Sequence, residues 1–158
     1  MARRWSGDRH VIRSIRGREP TDHEYRALAE LRYQIRRFVD YSAQRARAAG
    51  LRPQQHQALL ALRGRPPGTS PTIGFLAERL QLRHHSAVGL VDRLARRGLV
   101  VRRHAQGDRR QVLVHLTRRG QAALRPLARH HVDELSTIGP ALSRALEQLF
   151  ERRRRRSA

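Results

Sequence analysis

The sequence predicts a mainly α-helical chain with one small β-hairpin, in the order α-α-α-α-β-β-α-α. Three observations carry that prediction. Apolar residues recur at steps of three and four along most of the chain. Two short helical patterns, ending near Leu80 and starting near His84, are separated only by Gln81-Leu82-Arg83. Two short strand-like runs, Leu99 to His104 and Gln111 to Leu116, then flank the turn-forming stretch Ala105-Gln106-Gly107-Asp108-Arg109-Arg110. At 158 residues and 39% hydrophobic content, the chain suffices for one compact domain or two small packed lobes.

The elements follow in order. Residues 1–20 carry six Arg against Asp8 and Glu19 with little apolar periodicity, and read as a flexible basic arm. Thr21-Asp22-His23-Glu24 has capping-box spacing, so a long helix is expected to start there. Its apolar seam is Leu28, Leu31, Ile35, Phe38 and Ser42, with Arg26, Arg32, Arg36, Arg37 and Arg45 outside the seam and Gly50 as the stop. So long a helix with one seam packs against another chain or a long neighbour. Pro53 opens a second helix bearing Leu59, Leu60 and Leu62, with Gly64 expected to close it in the left-handed conformation.

Residues 65–70 form a loop, after which Ser70-Pro71 reads as cap and first residue of a short helix bearing Ile73, Leu76, Ala77 and Leu80. In the next helix Ala87, Val88, Val91 and Leu94 point inward and Gly98 ends it. His84, His85, Ser86, Gly89, Asp92, Arg93 and Arg96 lie on or near the opposite face. In the second strand Val112, Val114 and Leu116 share one side and Leu113 and His115 the other. Thr117 caps a helix to about Thr137, Gly139-Pro140 break it, and a last helix contains Leu142, Leu146, Leu149 and Phe150 before the Arg152–Arg156 tail.

Charge narrows the function. The formal net charge is +21, and every one of the 34 basic residues is Arg. Such an imbalance calls for a polyanionic partner. Between Arg79 and Arg110 nine Arg face only Asp92 and Asp108. The lack of Cys excludes disulfides, thiolate nucleophiles and zinc–cysteine sites, and Met1 is the only methionine. The longest apolar run, Ala58 to Leu62, is far short of the roughly 20 residues a membrane span needs. No apolar stretch follows Arg3-Arg4 as an export signal requires, so a cytoplasmic, nucleoid-associated protein is expected. There is no Gly-rich phosphate loop, no Gly-x-Ser-x-Gly turn, no His-Glu-x-x-His and no convincing carboxylate pair, so catalysis is not expected.

Two short helices joined by a tight turn and followed by a basic hairpin make a winged helix-turn-helix, here attached to a helical dimerisation region. The reading gives 53–117 to the winged unit, 21–50 and 118–152 to the dimerisation region, and 153–158 to a basic tail. The second helix offers its polar N-terminal half to base edges in a major groove, and the hairpin reaches the adjacent minor groove. Residues 72–80, 85–94, 98–100 and 108–120 resemble the MarR family of bacterial transcription regulators. The clearest part is Asp108-Arg109-Arg110 followed by alternating apolar residues and Leu116-Thr117-Arg118-Arg119-Gly120, which is similar to the family's wing pattern. The resemblance implies a homodimer knitted by the first and last helices, with reading heads one DNA turn apart on an inverted-repeat operator. It also implies repression relieved by a small, often phenolic, ligand. Gln111, where the family more often has a small residue, and Gly89, which offers no side chain to a base, depart from the pattern.

The candidate DNA-binding residues are Arg83, His84, His85, Ser86, Arg93 and Arg96 on the reading helix and Asp108, Arg109 and Arg110 on the wing. Arg109 is the preferred minor-groove probe, with Asp108 and Arg110 fixing wing geometry through an ion pair. Arg102 and Arg103 are read as solvated strand flanks, and the five-Arg tail as a source of nonspecific, salt-sensitive attraction to DNA or as an end without a role. Tyr33, Arg37 and Tyr41 are candidates to line a pocket for a small aromatic effector, against a plainer role in core or dimer packing. His130-His131 with Asp133 and Glu134 contains a ligand-like pair four residues apart, but no complete set, so no metal or cofactor is expected. The rival reading is a basic RNA-associated or nucleoid-architectural protein without ligand control. The 4% aromatic content and lack of RNA-binding sheet motifs favour duplex DNA.

Overall fold

The computed structural model describes residues 19–105 and 108–154, the side chains of 105, 108–110 and 151–154 excepted. The expected arm before residue 19 and most of the basic tail lie outside the described residues. Among the described residues there are five helices and one two-stranded sheet, in the order α1 (Asp22–Ala48), α2 (Pro53–Arg63), α3 (Ile73–Arg79), α4 (His84–Arg96), β1 (Val100–Ala105), β2 (Asp108–Leu116), α5 (Arg118–Arg154). The predicted fold class holds, with one helix fewer.

The capping box of α1 forms as predicted. The Glu24 N–H donates to Thr21 Oγ1 at 3.3 Å, and the Thr21 N–H donates to Glu24 Oε2 at 2.7 Å. Asp22 and Glu24 in the first turn, and Arg45 and Arg47 in the last, oppose the helix dipole. The buried face is rotated from the predicted seam. Ala27, Gln34 and Ala46 are buried and Leu31, Phe38 and Tyr41 half-buried, whereas Leu28 and Ile35 are exposed beside Tyr25 and Val39. The three-and-four seam through Leu28 and Ile35 misses small Ala27, which is buried and allows a neighbouring helix to come close.

Helix α2 starts at Pro53, as expected, but Gly64 closes it at φ −94°. The left-handed loop glycine is Gly68, at φ 77°. The cap of α3 is Thr72, whose Oγ1 accepts from the Phe75 N–H at 3.0 Å, and Ser70-Pro71 stays outside the helix. The Pro71 carbonyl is occupied elsewhere, accepting the Val114 N–H at 2.7 Å beside a bridge between Thr72 and Leu113. That pairing draws the segment onto β2 and delays the helix by two residues.

A sharp turn with Gln81 at φ 52° leads into α4. Its buried set is Ala87, Leu90, Val91 and Leu94, so Leu90 takes the inward place expected of Val88, which is half-buried. Gly98, at φ 66°, ends the helix as predicted. Its N–H donates to the Ala95 carbonyl, and the Leu99 N–H donates to the Leu94 carbonyl. The antiparallel strands then pair Val100 with Leu116 and His104 with Val112, with an irregularity between His104 and Ala105.

The largest correction concerns the C-terminal region. Gly139-Pro140 do not break it; α5 is one helix of 37 residues, about 55 Å long. Leu124, Leu127, His131, Ile138 and Ala145 form one buried stripe that continues past Pro140 along α1. Packing on both sides of the proline keeps the helix going despite the lost hydrogen bond. The main core joins Leu59, Leu62, Leu76, Leu90, Val91, Leu94, Val100 and Val114 of the winged unit to Ala46 of α1 and Leu124 and Leu127 of α5. Winged unit and helical pair therefore share a core.

The Leu-Thr-x-x-Gly motif fixes where α5 begins. Thr117 Oγ1 donates to the Gly98 carbonyl at 2.7 Å and accepts the Gly120 N–H at 3.0 Å, while the Thr117 N–H donates to the Leu99 carbonyl at 3.1 Å. Gly120 is buried, and a Cβ there would lie 2.0 Å from the Leu99 carbonyl oxygen. Gly120→Ala is expected to cost about 3 kcal/mol or more in urea unfolding, because backbone must move. Gly139→Ala, where a Cβ meets nothing within 4 Å, is expected to be neutral or to stabilise by up to about 1 kcal/mol. Equal effects of the two substitutions would contradict this account.

Candidate nucleic-acid interface

The outward face of α4 begins at Arg83, the cap residue, which is exposed and offers no side-chain acceptor to the first-turn N–H groups. A helix start of this kind leaves backbone donors for an anion. His84 and His85 are exposed and Ser86 half-buried, so the structure brings the four predicted residues of this turn together at one end. Arg96 lies about 18 Å further along the helix axis and is separate from them.

Arg93 comes back toward the middle of the face. Its Nη1 lies 3.3 Å from the position a Cβ on Gly89 would take. The residue that seemed to leave a gap in the reading surface thus makes room for a guanidinium.

The wing is fastened to this helix. Arg102 of β1 forms an ion pair with Asp92 of α4 and donates from Nη2 to the Val88 carbonyl at 3.5 Å. Reading Arg102 as merely solvated therefore needs correcting. Sequence spacing gave no sign of the pair, because residues ten apart meet only once the α4–β1 corner is folded. Both partners are partly exposed, so the pair orients the hairpin more than it stabilises the fold. At the wing tip the backbone of Asp108, Arg109 and Arg110 opens β2. Their side chains, including the expected Asp108–Arg110 ion pair, lie outside the described residues.

The proposed effector residues do not form one pocket. Arg37 lies 6.0 Å from the centre of the exposed Tyr33 ring. Tyr41, about 12 Å further along α1, sits under Arg45 at 5.1 Å and faces the His131 ring at 6.3 Å. A groove that sequence reasoning missed runs between α2 and α5. It has a volume of about 450 Å³, with Leu124, Ala128 and Val132 on its apolar side and Arg63, Arg125 and Arg129 around them. Gln121 and Asp133 complete the lining, and with three guanidiniums against one carboxylate beside an apolar surface the groove suits an anionic ligand with an apolar body.

His130 and His131 diverge, His130 exposed and His131 buried. Among the described residues no group of three or more His, Cys, Asp and Glu is placed to hold a metal ion, and no helix is long and apolar enough to cross a membrane.

Residues 49–111 match the MarR family model. Over that segment the chain is similar to the MarR family. Over 69 residues it is 38% identical to the HTH-type transcriptional repressor YetL of Bacillus subtilis, a match that takes in 44% of this chain and 40% of the repressor's length. AbsC, a MarR family transcriptional regulator from Streptomyces coelicolor, shares the fold at TM-score 0.66 and 21% identity, with 89% of this chain and 97% of AbsC covered. A MepR mutant from Staphylococcus aureus, solved bound to an oligodeoxyribonucleotide, shares it at TM-score 0.59 and 19% identity, with 88% of this chain and 96% of that chain covered. The Asp92–Arg102 pair is open to direct test. A double-mutant cycle of Asp92→Asn and Arg102→Gln is expected to give a coupling of about 0.2–1 kcal/mol in thermal unfolding. A coupling of zero at low salt would mean the two side chains are independently solvated.

Proposed function

We propose that the chain is a homodimeric, sequence-specific regulator of transcription that binds duplex DNA, and a repressor released by a small ligand. One observation carries the reading: α4 turns a polar, uncapped, arginine-flanked N-terminal end outward while a hairpin pinned to the same helix stands beside it. A helix about 10–12 Å across fits the major groove, and a flanking basic hairpin fits the minor groove one step along.

A second copy of the chain is supported by the apolar rows that the protomer leaves uncovered. Leu28, Ile35 and Val39 are exposed on α1, and Val132, Leu135, Leu146 and Phe150 on α5. Burying them against their own symmetry mates sets two reading heads about one helical turn of DNA apart, the geometry of an inverted repeat. The match of residues 49–111 to the MarR family model, with the 38% identity to a transcriptional repressor over 69 residues, supports regulation over catalysis, and action on chromosomal DNA in the cytoplasm. The groove between α2 and α5 is the better candidate for the effector than Tyr33, Arg37 and Tyr41, since it is a single cavity.

Guanidinium contacts to phosphate release counterions, so affinity should fall steeply with salt for every duplex. Base contacts from His84, His85, Ser86 and Arg93 supply the sequence preference. Arg109→Ala is expected to weaken binding to the promoter upstream of the coding sequence by about 1–3 kcal/mol, read by fluorescence anisotropy at fixed salt. Undiminished affinity would remove Arg109 from the interface.

A further inference from the structure

The place where α1, α2 and α5 meet holds two histidines that DNA binding does not use. His56 of α2 is 1% exposed, and neither of its ring nitrogens has a hydrogen-bond partner. His131 of α5 is 6% exposed, with Nε2 also unpartnered. The two rings meet edge to face with centroids 4.7 Å apart, and Phe38 of α1 packs on His131 at 5.7 Å. A buried imidazole without a partner is costly, and a pair of them is an uncommon way to fill a core. Leu or Phe would pack there without that cost.

We propose that the His56–His131 pair is an acid-sensitive latch between the winged unit and the helical pair: protonation drives α2 away from α1 and α5 and releases duplex DNA. The release half of this proposal rests on the function proposed above; the opening half does not.

The surroundings give a proton no counter-charge at the pair. From α1 come the rings of Phe38 and Tyr41, with Arg45 stacked on Tyr41 at 5.1 Å. From α2 comes His56 itself, flanked by exposed Arg52 and by Gln55, whose Oε1 accepts from Arg97, the residue that follows α4, at 2.9 Å. From α5 come His131 and its neighbour His130, with Asp133 and Glu134 further along the helix. Burial, then the His131 charge, lowers the His56 pKa to about 4; burial, then His130, lowers that of His131. Both rings are therefore neutral in the closed form. The sign follows directly. A base whose pKa is depressed in the closed form stabilises that form above its ordinary value of 6.5, and that stability is lost as pH falls from there toward about 4. If opening restores the ordinary value at His56 alone, the balance shifts toward the open form by about twentyfold between neutral pH and pH 5.

The position of the pair gives opening its consequence. Leu59 and Leu62, three and six residues beyond His56 on α2, sit in the core beneath the reading helix. A small displacement of α2 therefore moves the reading head relative to α1 and α5, which set the spacing of the two heads. Acid otherwise only adds positive charge to a DNA-binding surface, so loss of binding in acid runs against simple electrostatics.

The test compares the full-length protein with the double variant His56→Leu, His131→Phe at pH 7.5 and pH 5. Hydrogen exchange of α2 amides, corrected for intrinsic rates, should rise about tenfold or more in acid for the parent and stay within about twofold for the variant. If the double variant does not fold, His131→Phe alone should give an intermediate rise. Binding to a duplex from upstream of the coding sequence should weaken in acid for the parent and hold or strengthen for the variant. Equal exchange of parent α2 at the two pH values, or a rise that the variant shares, overturns the latch. Acid opening of α2 without any change in duplex affinity overturns the release. If neither protein binds any duplex at either pH, the DNA reading fails while the exchange result still decides the opening.

Discussion

A hydroxyl and a missing methyl group set the geometry on which the rest of the molecule depends. At the junction of β2 and α5 the Thr117 side chain spans the Gly98 carbonyl and the Gly120 N–H, and Gly120 lets the first turn of α5 lie against the Leu99 backbone. This contact joins the end of α4, the root of the hairpin and the start of α5 at one point. Any other side chain at 120 forces them apart. The line of α5 along α1 and the meeting of His131 with His56 depend on how α5 leaves that corner.

Much of this was legible in the sequence where the signal was local. The capping box at Thr21, the proline start of α2, the helix stop at Gly98 and the alternation in β2 each depend on residues a few positions apart, and the structure has each of them. The misreadings come from places where distant packing overruled a local preference. Pro140 signals a break, yet Ile138 and Ala145 are buried on either side and hold the helix together. Ser70-Pro71 is a reasonable cap until Val114 takes the Pro71 carbonyl. Leu28 and Ile35 share the three-and-four spacing of an inward seam, but the face of α1 that the rest of the chain covers is centred on Ala27 and Gln34. The polar first turn of α4 was visible in the sequence; the Asp92–Arg102 pair, the place of Arg93 over Gly89, the arginine-lined groove and the histidine pair were not, because each depends on the folded corner or helix junction.

The all-arginine chemistry also has more than one use. Several guanidiniums are committed to the fold: Arg97 to Gln55, Arg102 to Asp92, Arg65 to the Leu62 and Thr69 carbonyls, and Arg79 and Arg45 to the faces of Phe75 and Tyr41. The planar fork of arginine suits such fixed contacts better than a lysine ammonium would. Arg83, Arg93 and Arg96 stand on the outer face of α4 instead. Net charge alone therefore overstates the cations available to a polyanion, and their concentration around one helix and one hairpin is the more informative quantity.

Hydroxyl-radical footprinting of the upstream promoter with the intact protein tests the central claim most directly. Two symmetric protected patches centred about 10 base pairs apart, each flanked by minor-groove protection, are the expected result for paired helical and hairpin insertions. Protection spread evenly along the duplex whatever its sequence, or a single unpaired patch, would contradict it.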